Sequence, residues 1–145
     1  MKIVLQRVSW ASVTVDDTIT GSIDRGYVVL LGFGEGDDKA KVEKMVDKIQ
    51  KLRIFPDENG KTNLSIGDVN GGILVVSQFT LYADCRKGNR PSFVNAASPA
   101  LAEELYNYFI AYSKGKFSKV ESGIFGADMK VELLNDRPFT VILED

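Results

Sequence analysis

Gly26-Tyr27-Val28-Val29-Leu30-Leu31-Gly32-Phe33 is a nearly continuous apolar run bounded by glycines. A strand with one wet face alternates polar and apolar residues. This one does not, so it reads as a strand covered on both faces. Ile73-Leu74-Val75-Val76 repeats the pattern and runs directly into Ser77-Gln78-Phe79-Thr80. Two such strands need a layer on either side. Upstream, Lys2 to Val15 mixes Ile, Val, Leu and Thr with polar residues at near-alternating spacing, which predicts a strand. Asp16-Asp17 then supplies a turn, and Thr18 to Ile23 returns as a hairpin arm.

Between the two apolar runs lies a helix. Asp37 or Asp38 can cap it, and Val42, Met45, Val46, Ile49 and Leu52 recur at spacings of three and four. Lys41, Lys44, Lys48 and Lys51 mark its wet face. Pro56-Asp57-Glu58-Asn59-Gly60 ends it in a turn, and a glycine-rich loop reaches Gly71-Gly72. A polar loop follows from Ala83 to Asn95. Ser98-Pro99 then opens a second helix, a capping hydroxyl followed by proline at the first helical position. Leu101, Leu105, Tyr108, Phe109 and Tyr112 are expected on its buried side, with Gly115 as its stop. Three short strands are expected at the end: around Val120, from Met129 to Leu134, and from Phe139 to Leu143. The element order β-β-β-α-β-α-β-β-β predicts one α/β domain over residues 1–145. It is layered, with helices on one sheet face and more strands on the other.

Composition narrows the chemistry. Among 145 residues, 44% are hydrophobic and 26% charged, with no histidine and one cysteine. That removes every Ser-His or Cys-His nucleophile, the usual base near neutral pH, any intrachain disulfide and any cysteine-rich zinc site. Neither a metal nor another cofactor is expected. Cys85 reads as a spectator thiol in a polar loop. No stretch approaches the roughly 18 apolar residues of a membrane span, and the N-terminus lacks the features of a signal peptide, so a cytoplasmic protein without a membrane partner is expected. A net charge of −2 argues against a protein that coats nucleic acid, and DNA is not an expected partner. Local basic clusters at Arg86-Lys87-Gly88-Asn89-Arg90 and Lys114 to Lys119 read either as solvated loop charge or as a grip on an RNA end.

Val75-Val76-Ser77-Gln78-Phe79-Thr80-Leu81-Tyr82 carries the chemistry. An apolar strand ending in Ser, Gln and Thr delivers hydroxyls, an amide and backbone N–H groups to one sheet edge, a common ligand position beside helical crossovers. It could equally be a strand fraying into a turn. A serine or threonine without a base is a weak nucleophile, but the amides could still stabilise an oxyanion.

Ser77-Gln78-Phe79-Thr80-Leu81 resembles the signature pentapeptide of the D-aminoacyl-tRNA deacylase family. Met1-Lys2-Ile3-Val4-Leu5-Gln6-Arg7-Val8 resembles its first strand, and Asn89-Arg90-Pro91-Ser92-Phe93 with Ala96-Ala97 its central loop. Gly123-Ile124-Phe125-Gly126-Ala127-Asp128-Met129 and Asn135-Asp136-Arg137-Pro138-Phe139-Thr140 resemble its last two motifs. The resemblance implies a β/β/α sandwich that hydrolyses the ester of D-aminoacyl-tRNA, with glycyl-tRNA as a second substrate. It implies that Ser77, Gln78, Phe79 and Thr80 line the pocket, with the amides near Phe79 and Thr80 facing the oxyanion. Phe125 and Met129 would pack around the terminal adenosine of the tRNA 3′ end. It implies a homodimer in which an Xaa-Pro dipeptide of one subunit enters the other's pocket and excludes L-amino acids. That dipeptide here is Arg137-Pro138, with arginine where the family has glycine, and the resemblance implies a cis bond with the arginine side chain turned away. The 2′-hydroxyl of the terminal ribose is expected to assist the reaction; a Thr80 hydroxyl is the alternative.

Overall fold

The computed structural model describes residues 1–145. The elements are β1 (Lys2–Val15), β2 (Thr18–Ile23), β3 (Gly26–Gly32), α1 (Lys39–Lys51), β4 (Phe55–Pro56), β5 (Thr62–Leu64), β6 (Gly72–Ser77), α2 (Pro99–Ser113), β7 (Lys119–Ser122) and β8 (Lys130–Glu144). Asp16 and Asp17 both have positive φ, 49° and 63°, the backbone that suits a two-residue hairpin between β1 and β2. Asp38 caps α1 by accepting from the Lys41 N–H at 2.9 Å. Its neighbour Asp37 turns inward instead, accepting from the Gly34 N–H at 2.7 Å and from the Met1 ammonium at 2.8 Å.

The main sheet runs β2-β1-β3-β6-β7, with β8 also pairing β1. The long β1 serves three neighbours: β3 beside Lys2–Val8, β2 beside Ala11–Val15, and β8 along the opposite edge. β3, β6 and β7 are mutually parallel, so each link between them must cross over; α1 and α2 make those crossings. Both helices cover one face, where Tyr27, Val29, Leu31, Ile73 and Val75 meet Val46, Ile49, Leu105 and Phe109. The alternate residues Val28, Leu74 and Val76 point the other way, into a second core with Val8, Ala11, Val13 and Ile23. The curled ends of β1, β2 and β8 supply that second layer, and Gly21 of β2 closes against Ser122 of β7. This is the layered α/β arrangement expected of the two apolar runs.

β1 reaches both cores because it is irregular. Val8 pairs with Asn135 and Trp10 with Leu134, which leaves Ser9 as one extra residue. A one-residue slip exchanges faces. Ile3 and Leu5 therefore face the helices, while Ala11 and Val13, of the same parity, face the second core.

Three details differ from the sequence expectation. The two closing strands are one, β8, because β1 is long enough to pair them end to end. The turn and loop after α1 contain a small hairpin, β4–β5. The buried side of α2 is Ala102, Leu105, Tyr106, Phe109 and Ser113, with Leu101, Tyr108 and Tyr112 at its margins. Small Ala102 and polar Ser113 conceal that stripe in the sequence.

Where β3 meets β6, a Cβ on Gly26 would lie 1.8 Å from the Gly72 carbonyl oxygen. Gly26→Ala should therefore cost about 3 kcal/mol, at the upper end of overpacking effects, because backbone rather than a pliable side chain must yield. Gly67→Ala, whose Cβ would meet only Ser65 Oγ at 3.7 Å, should change stability by less than about 0.5 kcal/mol. Denaturant midpoints of the two variants check this.

Candidate active site

β6 ends where its ladder with β3 runs out. The Gln78 N–H donates to the Leu31 carbonyl at 2.8 Å, and Phe79–Tyr82 then winds into a single 3₁₀ turn. Gly32 is the seat of that turn: a Cβ there would be 3.0 Å from the Gln78 carbonyl oxygen and 3.2 Å from Leu81 Cβ. The first bond of the turn runs from the Leu81 N–H to the Gln78 carbonyl at 3.2 Å. The Phe79 and Thr80 N–H groups precede it and have no partner within the turn.

Above this strand end lies a pocket of about 550 Å³. Ser77, Gln78 and Phe79 form one wall, and Phe125, Asp128 and Met129 another. Gly32, Phe33, Ala97, Pro99 and Ala102 complete the floor and far side. The second wall is held from below by Tyr106, whose hydroxyl donates to the Val75 carbonyl at 3.0 Å and whose ring meets Phe125 at 5.7 Å between centroids. The Gly123 N–H bonds the Val75 carbonyl at 3.1 Å, and the Gly123 site leaves no room for a Cβ beside Met129 Sδ. Gly126, at φ 76°, turns the loop between Phe125 and Met129. Tyr106, missed by the sequence reading, lies on the buried α2 stripe with Leu105 and Phe109.

The one carboxylate on the pocket wall, Asp128, is exposed to water and paired with Lys130 at 3.1 Å. Thr80 lies outside the pocket lining, exposed, and its Oγ1 accepts a hydrogen bond from Gln78 Nε2, an amide that cannot take a proton. Tyr82 backs the turn, but burial first, then the charges of Asp37 and Glu144, push its hydroxyl up to about 12. It is neutral at physiological pH. No three His, Cys, Asp or Glu side chains gather into a metal-binding group.

Arg137 and Pro138 are not in this pocket. Between the pairs Gln6–Thr140 and Val8–Asn135, β1 has one residue, Arg7, and β8 has four, Asp136 to Phe139. The surplus stands out as an exposed bulge around the buried Arg7 side chain, which is 2% exposed. Its guanidinium donates to the Ile54 carbonyl and, at 3.1 Å, to the Asp136 carbonyl. It also ion-pairs with the Asp136 carboxylate at 3.3 Å and lies 4.8 Å from the Phe139 ring centroid. Lys2, at the pocket end of β1, pairs with Gly32, whereas Arg7 pairs with Tyr27. Five strand residues put the bulge about 17 Å from the pocket of its own subunit. The Arg137–Pro138 bond is trans, which corrects the cis expectation. Arg137 itself makes the reversal, at φ 92°.

A family model described as D-Tyr-tRNA(Tyr) deacylase matches residues 4–144. Curated relatives named D-aminoacyl-tRNA deacylase from Lactobacillus gasseri and Koribacter versatilis are 54% and 55% identical over 144 residues. The alignments cover 99% of this chain and 99% and 97% of those proteins. A solved structure described as c-Myc DNA Unwinding Element Binding Protein superposes with a TM-score of 0.94 at 43% identity, over 100% of this chain and 99% of that one. A probable eukaryotic D-amino acid tRNA deacylase superposes at 0.87 over 98% and 97% of the two chains; at 17% identity this is a likeness of fold.

The φ of Arg137 is one that glycine adopts without strain, whereas an L-residue there costs about 1–2 kcal/mol. Glycine gives back roughly 0.5–1 kcal/mol in chain entropy. Arg137→Gly should then stabilise the protein by about 0.5–1 kcal/mol, raising the melting midpoint by about 2 °C. Thermal unfolding of the variant beside the natural chain checks the sign.

Proposed function

The chain belongs to the D-Tyr-tRNA(Tyr) deacylase family, and we propose that it hydrolyses the ester of D-aminoacyl-tRNA, freeing tRNA and the D-amino acid. The observation that carries this reading is the pocket at the end of β6, which joins the polar strand end to the Phe125 and Met129 wall and whose one carboxylate, Asp128, is exposed and paired with Lys130. Ser77, Gln78 and Phe79 hold the aminoacyl ester, and Phe125 and Met129 pack on the terminal adenosine. Water adds to the ester carbonyl. The Phe79 and Thr80 N–H groups, free of turn hydrogen bonds, receive the negative charge that develops on its oxygen. The attacking water gives one proton to the neighbouring 2′-hydroxyl, which passes its own to the 3′ oxygen as the bond from the carbonyl carbon to that oxygen breaks. Substrate assistance of this kind needs no protein base, which suits a chain without histidine. The hydrogen bond from Gln78 to Thr80 Oγ1 disfavours threonine as the nucleophile.

The chiral filter in this reading is a partner's Arg137-Pro138. That bulge is exposed and far from its own pocket, while Phe79 of the pocket wall packs on Phe93, next to Val94 in the chain, as an exposed apolar collar. A two-fold dimer would seat each bulge on the other collar, with its backbone excluding L side chains. Glycine, being achiral, passes such a filter, so glycyl-tRNA is a second substrate. The location that fits these substrates is the cytoplasm. The likeness to the c-Myc DNA Unwinding Element Binding Protein favours one rival: a module that binds nucleic-acid ends without turnover.

Incubation with D-Tyr-tRNA and L-Tyr-tRNA separates the readings. Hydrolysis of the D-ester with the L-ester spared is expected; binding without hydrolysis of either would favour the rival. Light scattering should give twice the chain mass of 16.0 kDa. Thr80→Ala should keep activity within about tenfold, whereas a 3′-linked substrate lacking the 2′-hydroxyl should lose roughly 10²-fold or more, the scale of one lost transition-state hydrogen bond. Normal hydrolysis of the deoxy substrate by the natural enzyme, with Thr80→Ala inactive, would reverse that assignment.

A further inference from the structure

A second cavity, of about 380 Å³, lies on the other side of the 3₁₀ turn, lined by Lys2, Tyr82, Asp84, Cys85, Arg86 and Asn95. The wall between the two cavities is thin. Gly32 lines the first, its neighbour across the ladder Lys2 lines the second, and a Cβ on Gly32 would sit 3.4 Å from Tyr82 Cδ2. From the outer cavity rises a finger. Asp84 and Ser92 exchange two backbone hydrogen bonds, 2.8 and 2.9 Å, and residues 85–91 project between them, all exposed.

The charge of this finger opposes that of the chain. Asp84 to Ser92 holds three cations, Arg86, Lys87 and Arg90, and one carboxylate, Asp84, giving a local +2 in a protein of net −2. Asp84 is committed: it grips Arg86 in a fork, Nε at 2.9 Å and Nη2 at 2.7 Å, which braces the base of the finger. Lys87, Arg90 and the cavity residue Lys2 have no carboxylate within 4 Å. Uncompensated cations held on a braced loop beside an open cavity suit the spaced anions of a nucleic-acid backbone.

We infer that Lys2, Lys87 and Arg90 form a phosphate-binding rail for the single-stranded segment that precedes the terminal nucleotide of the RNA substrate. The inference rests on the reading of the main pocket as the site of the aminoacylated terminus. It assigns to the finger what that pocket cannot supply: the terminal nucleoside fits inside, while the phosphodiesters behind it leave across the turn and meet the rail. The rail reads charge and spacing rather than base identity, so it serves tRNAs of any sequence at this end.

The test is the double variant Lys87→Ala/Arg90→Ala, in which both residues lie at an exposed tip. Binding of uncharged tRNA should weaken about tenfold, and the slope of log Kd against log salt should fall by roughly 1.4, two single-strand phosphate contacts at about 0.7 each. Equal affinity and equal slope would overturn the rail. In the second arm, D-tyrosyl-tRNA and the minimal ester D-tyrosyl-adenosine are compared. The variant should lose kcat/KM, through KM, on the tRNA only; an equal loss on both would mean the finger acts by shaping the pocket, and overturns the rail as well. Should the natural protein hydrolyse neither ester, the reading of the pocket fails, and the binding arm still decides the rail.

Discussion

A guanidinium buried in the middle of a strand constrains much of this molecule. Arg7 is removed from water, and an unsatisfied buried cation would cost several kcal/mol, so its surroundings must be arranged to receive it. The receivers come from two distant parts of the chain. The Ile54 carbonyl follows α1, and the Asp136 carbonyl and carboxylate belong to β8. Phe139 supplies an aromatic face, and the Tyr27 hydroxyl beside it is driven up by burial despite the opposing charge of Arg7. One side chain thus joins the helical layer to the last strand and fills the gap that four residues of β8 leave opposite one residue of β1. The bulge at Asp136 to Phe139 is held outward because its inner side is occupied.

Two points on β1 divide the labour that the proposed function requires. At its start the ladders of β3 and β6 finish together, and a 3₁₀ turn seated on Gly32 stands beside the pocket. In mid-strand, about 17 Å further along, the Arg7 bulge displays Arg137-Pro138 to solvent. Neither place is complete in one subunit under the dimer reading. The absence of histidine fits a site that positions an ester and its oxyanion and leaves proton transfer to the substrate.

Much of the fold was legible in the sequence for identifiable reasons. Tyr27 to Leu31 and Ile73 to Val76 lack polar alternation because both of their faces are covered, and that alone demanded layers. The caps Asp38 and Ser98 stand where their residue types suggested. The union of β8 was not legible, because Asn135-Asp136-Arg137-Pro138 carries the composition of a turn; only the long edge of β1 makes it one strand. Ser77, Gln78, Phe79, Phe125 and Met129 were expected together and are together. Thr80 faces outward because the 3₁₀ turn rotates it from the pocket. The trans bond escaped the sequence reading because the reversal there is taken by the φ of Arg137. Arg7 was visible only as a charged residue in an apolar strand, since its partners lie 47 and 129 positions away.

The central claim, a pocket completed by the bulge of a second subunit, is tested most directly by subunit mixing. One variant blocks the pocket with Ala127→Trp, on the half-buried loop of its second wall, and keeps the natural bulge; the other keeps the pocket and replaces Arg137-Pro138 with Ala-Ala. Each homodimer alone should lack D-selective hydrolysis of Tyr-tRNA. After unfolding and refolding of an equal mixture, half the dimers are mixed, and each holds one intact pocket facing one natural bulge. About a quarter of the natural D-selective activity should return. No return in mixed dimers isolated by paired affinity tags, or full D-selectivity in the Ala-Ala homodimer, would contradict the account.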